Sequence, residues 1–337
     1  MVVGASKNSG NGNASGHVRV YEYTGLWNQI GSDIDGEAAD DLSGYSVSIS
    51  GDGGIVAIAA KENDGSALDA GHVRVYENSG GNWIQTGQDI DGEASGDDFG
   101  REVSLNDDGN ILAVGASGND AAGFNAGHAR VYENIFGTWT QIGQDLDGEA
   151  TSDYFGKSVS LNSTGTVLAV GGYMNDANNQ STPNKGHTRV FNNVGGSWFQ
   201  IGQDIDGEAA GDGSGLPSLS SDGSKVAIGG AGNYPNGEYR PRGHVRIFST
   251  AADTSTPTVT LTDTDLDNLV SGSSVVTITA TFSEAMSATP TINITGEVSN
   301  VAMTASRTAR VWIYPWTVSA TTSGILTATV SGTDLSG

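Results

Sequence analysis

The sequence predicts an all-β chain: a β-propeller of four to five blades, read as part of a larger ring, followed by a β-sandwich. Three observations carry this. A motif recurs every 55 to 59 residues, each repeat holds four short alternating stretches, and 50 of 337 residues are Gly while none is Cys. Abundant Gly beside Asn, Asp and Ser, with few long helical runs, marks strands joined by tight turns.

The beat is read from GHVRVYE at 16–22, which returns at 71–77, as GHARVYE at 127–133, GHTRVFN at 186–192 and GHVRIFS at 243–249. Trp27, Trp83, Trp139 and Trp198 keep the same spacing. One unit runs from 99 to 144. FGREVSLNDDGNILAVGA reads as two strands around a Gly turn, SGNDAAGFNA as a polar loop, and GHARVYE as a third strand. Period-two alternation puts His128, Arg130 and Tyr132 on one face of that strand and Ala129 and Val131 on the other. WTQIGQDL is the fourth strand, and DGEATSDYFG leads into the next unit. Four antiparallel strands at this period are a propeller blade. Residues 1–30 supply the last three strands of a unit and residues 217–249 the first three, so both ends read as cuts through a longer protein.

From 250 to 256 the sequence TAADTST reads as a linker. The rhythm then changes to PTVTLT, SVVTITATF, PTINIT, VAMTA, ARVWIYPWTV and ILTATVSG. Six short strands rich in Thr and Val over 257–337 predict a truncated β-sandwich of the immunoglobulin type, with Pro315 marking an edge or a bulge. The propeller is assigned to 1–249.

The repeats resemble the FG-GAP repeats of integrin-α-type propellers. FG at 99–100 precedes VGAS at 114–117, FG at 155–156 precedes VGGY at 170–173, and a GY/AIAA variant stands at 44–45 and 57–60. The tail resembles bacterial immunoglobulin-like modules of surface adhesins, through VVTITATFSEAMSATPTINITG at 275–296. The resemblance implies an extracellular protein of adhesive or binding character. Calcium-binding members of that family carry a DxDxDG cage in the first hairpin of a blade. Here the hairpins SGDGG, NDDGN, NSTGT and SDGSK are too short for it.

With 39 acids against 15 bases, the formal charge of −24 disfavours nucleic acid and anionic membrane surfaces as partners and favours divalent cations. Absence of Cys excludes disulfides and thiolate sites. Residues 1–15 have neither a basic nor an apolar segment of a signal peptide, and no apolar run reaches 18 residues, so no spanning helix is expected.

Calcium is the candidate cofactor. Metal candidates come from the DxDGE copies, namely Asp89, Asp91, Glu93 and Asp97, then Asp145, Asp147, Glu149 and Asp153. DTDLDN adds Asp263, Asp265, Asp267 and Asn268. Closely spaced carboxylates on a Gly-kinked loop supply part of a calcium shell. The other reading is that Asp-Gly turns a corner between blades while a carboxylate receives amides or a repeat Arg. Arg19, Arg74, Arg130, Arg189 and Arg246 are then the partners of these acids. Histidines placed identically in every blade argue for structural bonds, because a catalytic His stands in a singular setting.

No GxSxG, HExxH, phosphate loop or dinucleotide fingerprint occurs. The expectation is therefore a non-enzymatic extracellular or cell-surface binding or adhesion protein, presenting propeller loops to a protein or carbohydrate ligand. Two alternatives stay open: a propeller hydrolase with its site at the central channel, and a structural surface or particle component. An enzyme would break the repeat with a unique cluster in one blade.

Overall fold

The structure is a computed structural model, and it describes residues 1–176, 184–232, 243–250, 258–264, 274–282, 289–305, 311–319 and 326–332. Among them strands are the only regular element, and no helix is long and apolar enough to cross a membrane. The chain divides into two compact units, Met1–Ala251 and Ala252–Gly337.

In the first unit, blade one holds β1 (Val2–Ala5), β2 (His17–Tyr23), β3 (Trp27–Gln29) and β4 (Ile34–Asp35). Blade two holds β5 (Ser46–Ile49), β6 (Ile55–Ala60), β7 (His72–Ser79), β8 (Asn82–Gln85) and β9 (Ile90–Asp91). Blade three follows with β10 (Phe99–Leu105), β11 (Ile111–Ala116), β12 (His128–Ile135), β13 (Thr138–Gln141) and β14 (Leu146–Asp147). Blade four holds β15 (Phe155–Leu161), β16 (Val167–Gly172), β17 (His187–Val194), β18 (Ser197–Gln200) and β19 (Ile205–Asp206). Blade five holds β20 (Ser214–Leu219), β21 (Lys225–Gly230) and β22 (His244–Ser249).

Each blade is an antiparallel meander in sequence order, and its first strand packs beside the first strand of the next blade. The propeller expectation therefore holds. Beyond it, the DxDGE segment adds a two-residue strand that pairs with the third strand, as in His128↔Asp147 and Ala129↔Leu146.

The core lies between blades, because each third strand turns its small apolar face toward the following blade. Ala129 and Val131 are buried against Phe155, Leu168, Val170, Phe191 and Trp198 of blade four. Each such large side chain contributes about 1.5–3 kcal/mol when fully buried. The equivalent Val245 and Ile247 of blade five are 68% and 69% exposed, and Trp27 of blade one is 55% exposed where Trp198 is 2%.

The FG and VGA motifs meet across each junction. Gly156 has φ +81°, and a Cβ there would stand 2.0 Å from the His128 carbonyl oxygen. A Cβ on Gly115 would stand 1.8 Å from the Gly156 carbonyl oxygen. Backbone meets backbone at this point, and only Gly supplies both the room and the left-handed conformation. The same turn shifts the β15–β16 register between Phe155 and Ser158, which buries Phe155 completely.

The second unit has β23 (Val259–Asp263), β24 (Val275–Phe282), β25 (Thr291–Ile294), β26 (Val298–Ala302), β27 (Thr304–Ala305), β28 (Val311–Thr317) and β29 (Ala328–Ser331). They form two antiparallel sheets, ordered β23-β24-β28-β27 and β26-β25-β29. Val276, Ile278, Ala280 and Phe282 of β24 share one core with Ile292, Ile294, Met303, Trp312 and Trp316. Pro315 pairs with Thr277, while β27 reaches only Trp312 and Ile313 on the other side. The residue without an amide hydrogen thus stands where one flank of β28 has no described neighbour.

Candidate functional site

The four acids of each DxDGE copy separate into distinct tasks. The first is clamped by the Arg of its own blade, since alternation puts that Arg on the strand face turned toward the preceding blade. Arg130 Nε and an Nη donate to Asp145 Oδ1 and Oδ2 at 2.8 and 2.6 Å; Arg74 does the same to Asp89 at 2.9 and 2.6 Å, and Arg19 to Asp33 at 2.8 and 2.7 Å. These forks hold the carboxyls of Asp89 and Asp145 below their ordinary range. Gln85 and Gln141 donate to the same carboxylates at 2.6 and 2.7 Å. The Glu reaches forward instead. Glu93 pairs with Arg130 of the next blade at 2.6 Å, and Glu37 with Arg74.

Asp91 and Asp147 lie exposed in their two-residue strands. The ninth acid is buried. Asp97 accepts from the Ala94 amide at 3.0 Å and from Asn119 Nδ2 at 3.2 Å, and Asp153 accepts from the Ala150 amide at 2.8 Å and from Asn175 Nδ2 at 3.1 Å. Acids near in sequence are thereby parted, while acids from successive copies meet. Glu93 comes together with His128 and Asp145, and Glu149 with His187 and Asp204.

Blade four departs from this scheme. Arg189 Nε donates to Gln200 Oε1 at 3.1 Å and an Nη to the Asp147 carbonyl at 2.9 Å, with its guanidinium 4.9 Å from the Phe155 ring and 5.1 Å from Phe191. Phe191 stands where Tyr76 and Tyr132 contribute a hydroxyl to Arg74 and Arg130. Without that hydroxyl the guanidinium rests on the aromatic faces, where a cation is attracted to the ring quadrupole.

A second constellation lines the first strands. Ser46 and Ser48 accept the amides of Val103 and Leu105 in the next blade at 3.1 and 2.9 Å, Ser104 accepts that of Leu161 at 3.0 Å, and Ser160 that of Leu219 at 3.0 Å. Glu102 occupies the position of Ser46 in its blade and accepts the Val159 amide and the Ser158 hydroxyl. Ser158 is free to donate because the residue opposite it is Pro217, which has no amide hydrogen. Burial pushes the Glu102 carboxyl up, against those hydrogen bonds.

One residue earlier on these strands stand Tyr45, Arg101 and Lys157, while Leu216 takes the position of Glu102 in blade five. Lys61 and Arg101 each lie 5.1 Å from the Tyr45 ring centre, and Lys157 lies 4.2 Å from that of Tyr173. A cavity of about 470 Å³ opens beside Lys157, Tyr173, Met174, Asn184 and Leu216. Burial and the neighbouring Arg101 push the Lys157 ammonium below its ordinary value.

In the second unit Asp263 ends β23, paired with Ile278, and Asp265, Asp267 and Asn268 lie outside the described residues. Sequence reasoning missed Glu102 and the pairing of His187 with Glu149 and Asp204. Setting Ser46, Glu102, Ser158 and Leu216 in register would have flagged the first, and Tyr against Phe after the repeat Arg would have flagged the second.

Comparison with solved structures finds low-identity likenesses. The periplasmic gluconolactonase of Pseudomonas aeruginosa is 14% identical with a TM-score of 0.44, over 85% of this chain and 76% of that one. The acylaminoacyl peptidase of Pyrococcus horikoshii is 11% identical with a TM-score of 0.40, over 89% and 47%. The tricorn protease is 9% identical with a TM-score of 0.41, over 94% and 29%. No curated protein matches the chain. The expectation of a non-enzyme is corrected by these matches: chains bearing enzyme names are among its structural likenesses, and the absence of a motif in the sequence does not set it apart from them. At such identities no activity carries over. The FG-GAP repeat family matches residues 90–132, from the two-residue strand β9 of blade two into the third strand, β12, of blade three.

Proposed function

We propose that the chain is a ligand-binding propeller whose site is the aromatic and basic rim at the start of the first strands. The observation that carries this is the cavity of about 470 Å³ beside Lys157 and Tyr173, within the usual size of ligand pockets. In a protein of charge −24, Arg101 and Lys157 stand beside Tyr45 and Tyr173, while the buried Lys61 is paired with Glu62 and Asp98. The rim suits a carbohydrate carrying a carboxylate, whose ring lies on Tyr and whose charge meets Lys. Binding of oligosaccharides containing uronic acid, followed by calorimetry, is expected to weaken at least tenfold in Lys157→Ala and in Tyr173→Ala. Neutral sugars are expected to bind worse. Equal binding by the variants and the parent would refute the assignment.

A hydrolase at the same end of the first strands is the second reading, favoured by Glu102. It is the one acid at its position among the described first strands, and burial raises its carboxyl, the direction that favours holding a proton to donate. Sugar-acid lactones and acylated peptides are the first substrates to assay, with Glu102→Gln as the variant. Turnover unaffected by Glu102→Gln would reject this role.

The second unit we read as an immunoglobulin-like spacer, supported by its two antiparallel sheets over a single core. The reading of the whole is an extracellular or cell-surface protein. Calcium is proposed for the loop that opens at Asp263, on the alternation of acids at 263, 265 and 267.

A further inference from the structure

Three of the four described junctions between blades bring together a His, the Asp of its own blade and the Glu of the preceding crossing. In blades two and three an Arg fills the space among them. Arg130 binds Glu93 and Asp145 at 2.6 Å each, and Arg74 binds Glu37 and Asp89. At the Glu37 junction the cavity left over is about 10 Å³, room for one water at most. Blade four keeps the two acids and the imidazole but has lost the guanidinium, which lies on Phe155 and Phe191.

What remains is a cluster with ligating atoms all within 4.8 Å of one another: one from Glu149, one from His187 and one from Asp204. Asp204 accepts from Gln200 at 2.7 Å and has no arginine fork. The His187 side chain is fully buried, and neither ring nitrogen has a hydrogen-bond partner. Its Nδ1 faces Asp204 Oδ2 at 3.7 Å, too long for a hydrogen bond. A buried, unpaired imidazole costs free energy and calls for a partner. His128 is equally without a partner, but the two carboxylates beside it are taken by Arg130.

We propose that Glu149, His187 and Asp204 bind a divalent first-row transition ion, with Zn²⁺ as the type, at the junction of blades three and four. The ion takes the place that the guanidinium holds in the sister junctions, and carries the positive charge two carboxylates require. Two oxygens and one imidazole nitrogen suit Zn²⁺, Mn²⁺ or Ni²⁺, with water completing the shell. Calcium prefers six to eight oxygens and fits poorly. Bonds of roughly 2.0–2.2 Å to a tetrahedral zinc put ligand atoms about 3.4 Å apart, and small side-chain rotations bring atoms now within 4.8 Å of one another to that spacing. The ion would tie the crossing that carries Glu149 to β17, which carries His187, and to the segment before β19, which carries Asp204.

The test uses the full chain, stripped with chelator and titrated with Zn²⁺ alone by calorimetry and thermal denaturation. One high-affinity Zn²⁺ per chain is expected, with a rise in melting temperature that equimolar Ca²⁺ does not reproduce. Glu149→Gln, Asp204→Asn and His187→Gln should each weaken that affinity at least tenfold. Phe191→Tyr touches no ligand and should do the same, by restoring the hydroxyl that draws Arg189 into the fork. His128→Gln, at the filled sister junction, should leave zinc binding unchanged. Co²⁺ in place of zinc should give a visible absorption band that Asp204→Asn alters. Absence of stoichiometric zinc binding, or zinc binding indifferent to both Asp204→Asn and Phe191→Tyr, overturns the proposal. So does a calcium response equal to that of zinc.

Discussion

Arg130→Met removes a charge while keeping most of an apolar stem, and isolates what the fork between blades contributes. The arginine side chain is 9% exposed, whereas Asp145 is 32% and Glu93 50% exposed. Breaking a fully buried pair costs about 3–5 kcal/mol and an exposed pair about 0.2–1. One buried member facing two half-solvated acids lies between these limits, at about 2 kcal/mol. For a unit of this size that is a fall of roughly 4–8 °C in melting temperature, read by calorimetry. The pH dependence has a definite sign. The Asp145 carboxyl is held below its ordinary value by Arg130, so the contribution is full above the unfolded value near 3.9 and disappears as pH falls through the folded one. Parent and variant should differ equally at pH 7 and pH 5 and converge below about pH 4. Arg19→Met is the control, because Arg19 is 42% exposed and grips Asp33 alone; its effect should be smaller. An Arg19 variant as damaged as the Arg130 variant, or a gap unchanged at pH 3, would refute the electrostatic account.

Gly156→Ala should prevent folding of the first unit, since its Cβ would meet the His128 carbonyl oxygen at 2.0 Å, whereas Gly137→Ala, with nothing within 4 Å, should cost about 1 kcal/mol or little more for its left-handed backbone; circular dichroism of the two separates them. Burial, and then the neighbouring arginine, push the imidazoles of His72 and His128 down. The unfolded chain therefore takes up those protons first, and stability should decline as pH drops through about 6.5. Urea titrations at pH 7.5 and 5.5 measure that slope, which His72→Gln with His128→Gln should flatten. If calcium binds the loop opening at Asp263, millimolar calcium should raise the melting of the second unit above the effect of sodium at equal ionic strength, and Asp263→Asn with Asp265→Asn should abolish the difference.

Blade rhythm and strand order were open to sequence reasoning because one short pattern, GHxRVY, repeats with its alternation intact. The pairing of repeat Arg with the first acid of DxDGE was foreseeable from charge and period. The separation of Asp89, Asp91, Glu93 and Asp97 was not. A loop of nine residues suggests one cage, but the Asp-Gly corner sends Glu93 to the next blade while Asp97 turns inward to cap amides. Likewise the hydroxyl of Ser48 and the amide of Leu105 are 57 residues apart, and only the convergence of first strands makes them partners. The change at Arg189 was written in Phe191, yet a Tyr-to-Phe difference conveys nothing until the hydroxyl is seen to hold a guanidinium.

The serine-to-amide bonds run one way, from a side chain in each blade to the backbone of its successor, so the array has a direction. Val103, Leu105, Leu161 and Leu219 have their hydrogens anchored outside their own sheet, and their exchange with deuterated solvent reports the parting of blades rather than the fraying of a strand. Pro217 leaves one such anchor out between the fourth and fifth blades, where Ser160 alone grips Leu219. Leu216 and Lys157 line one cavity from the two sides of that seam, so parting of the fourth and fifth blades would open it.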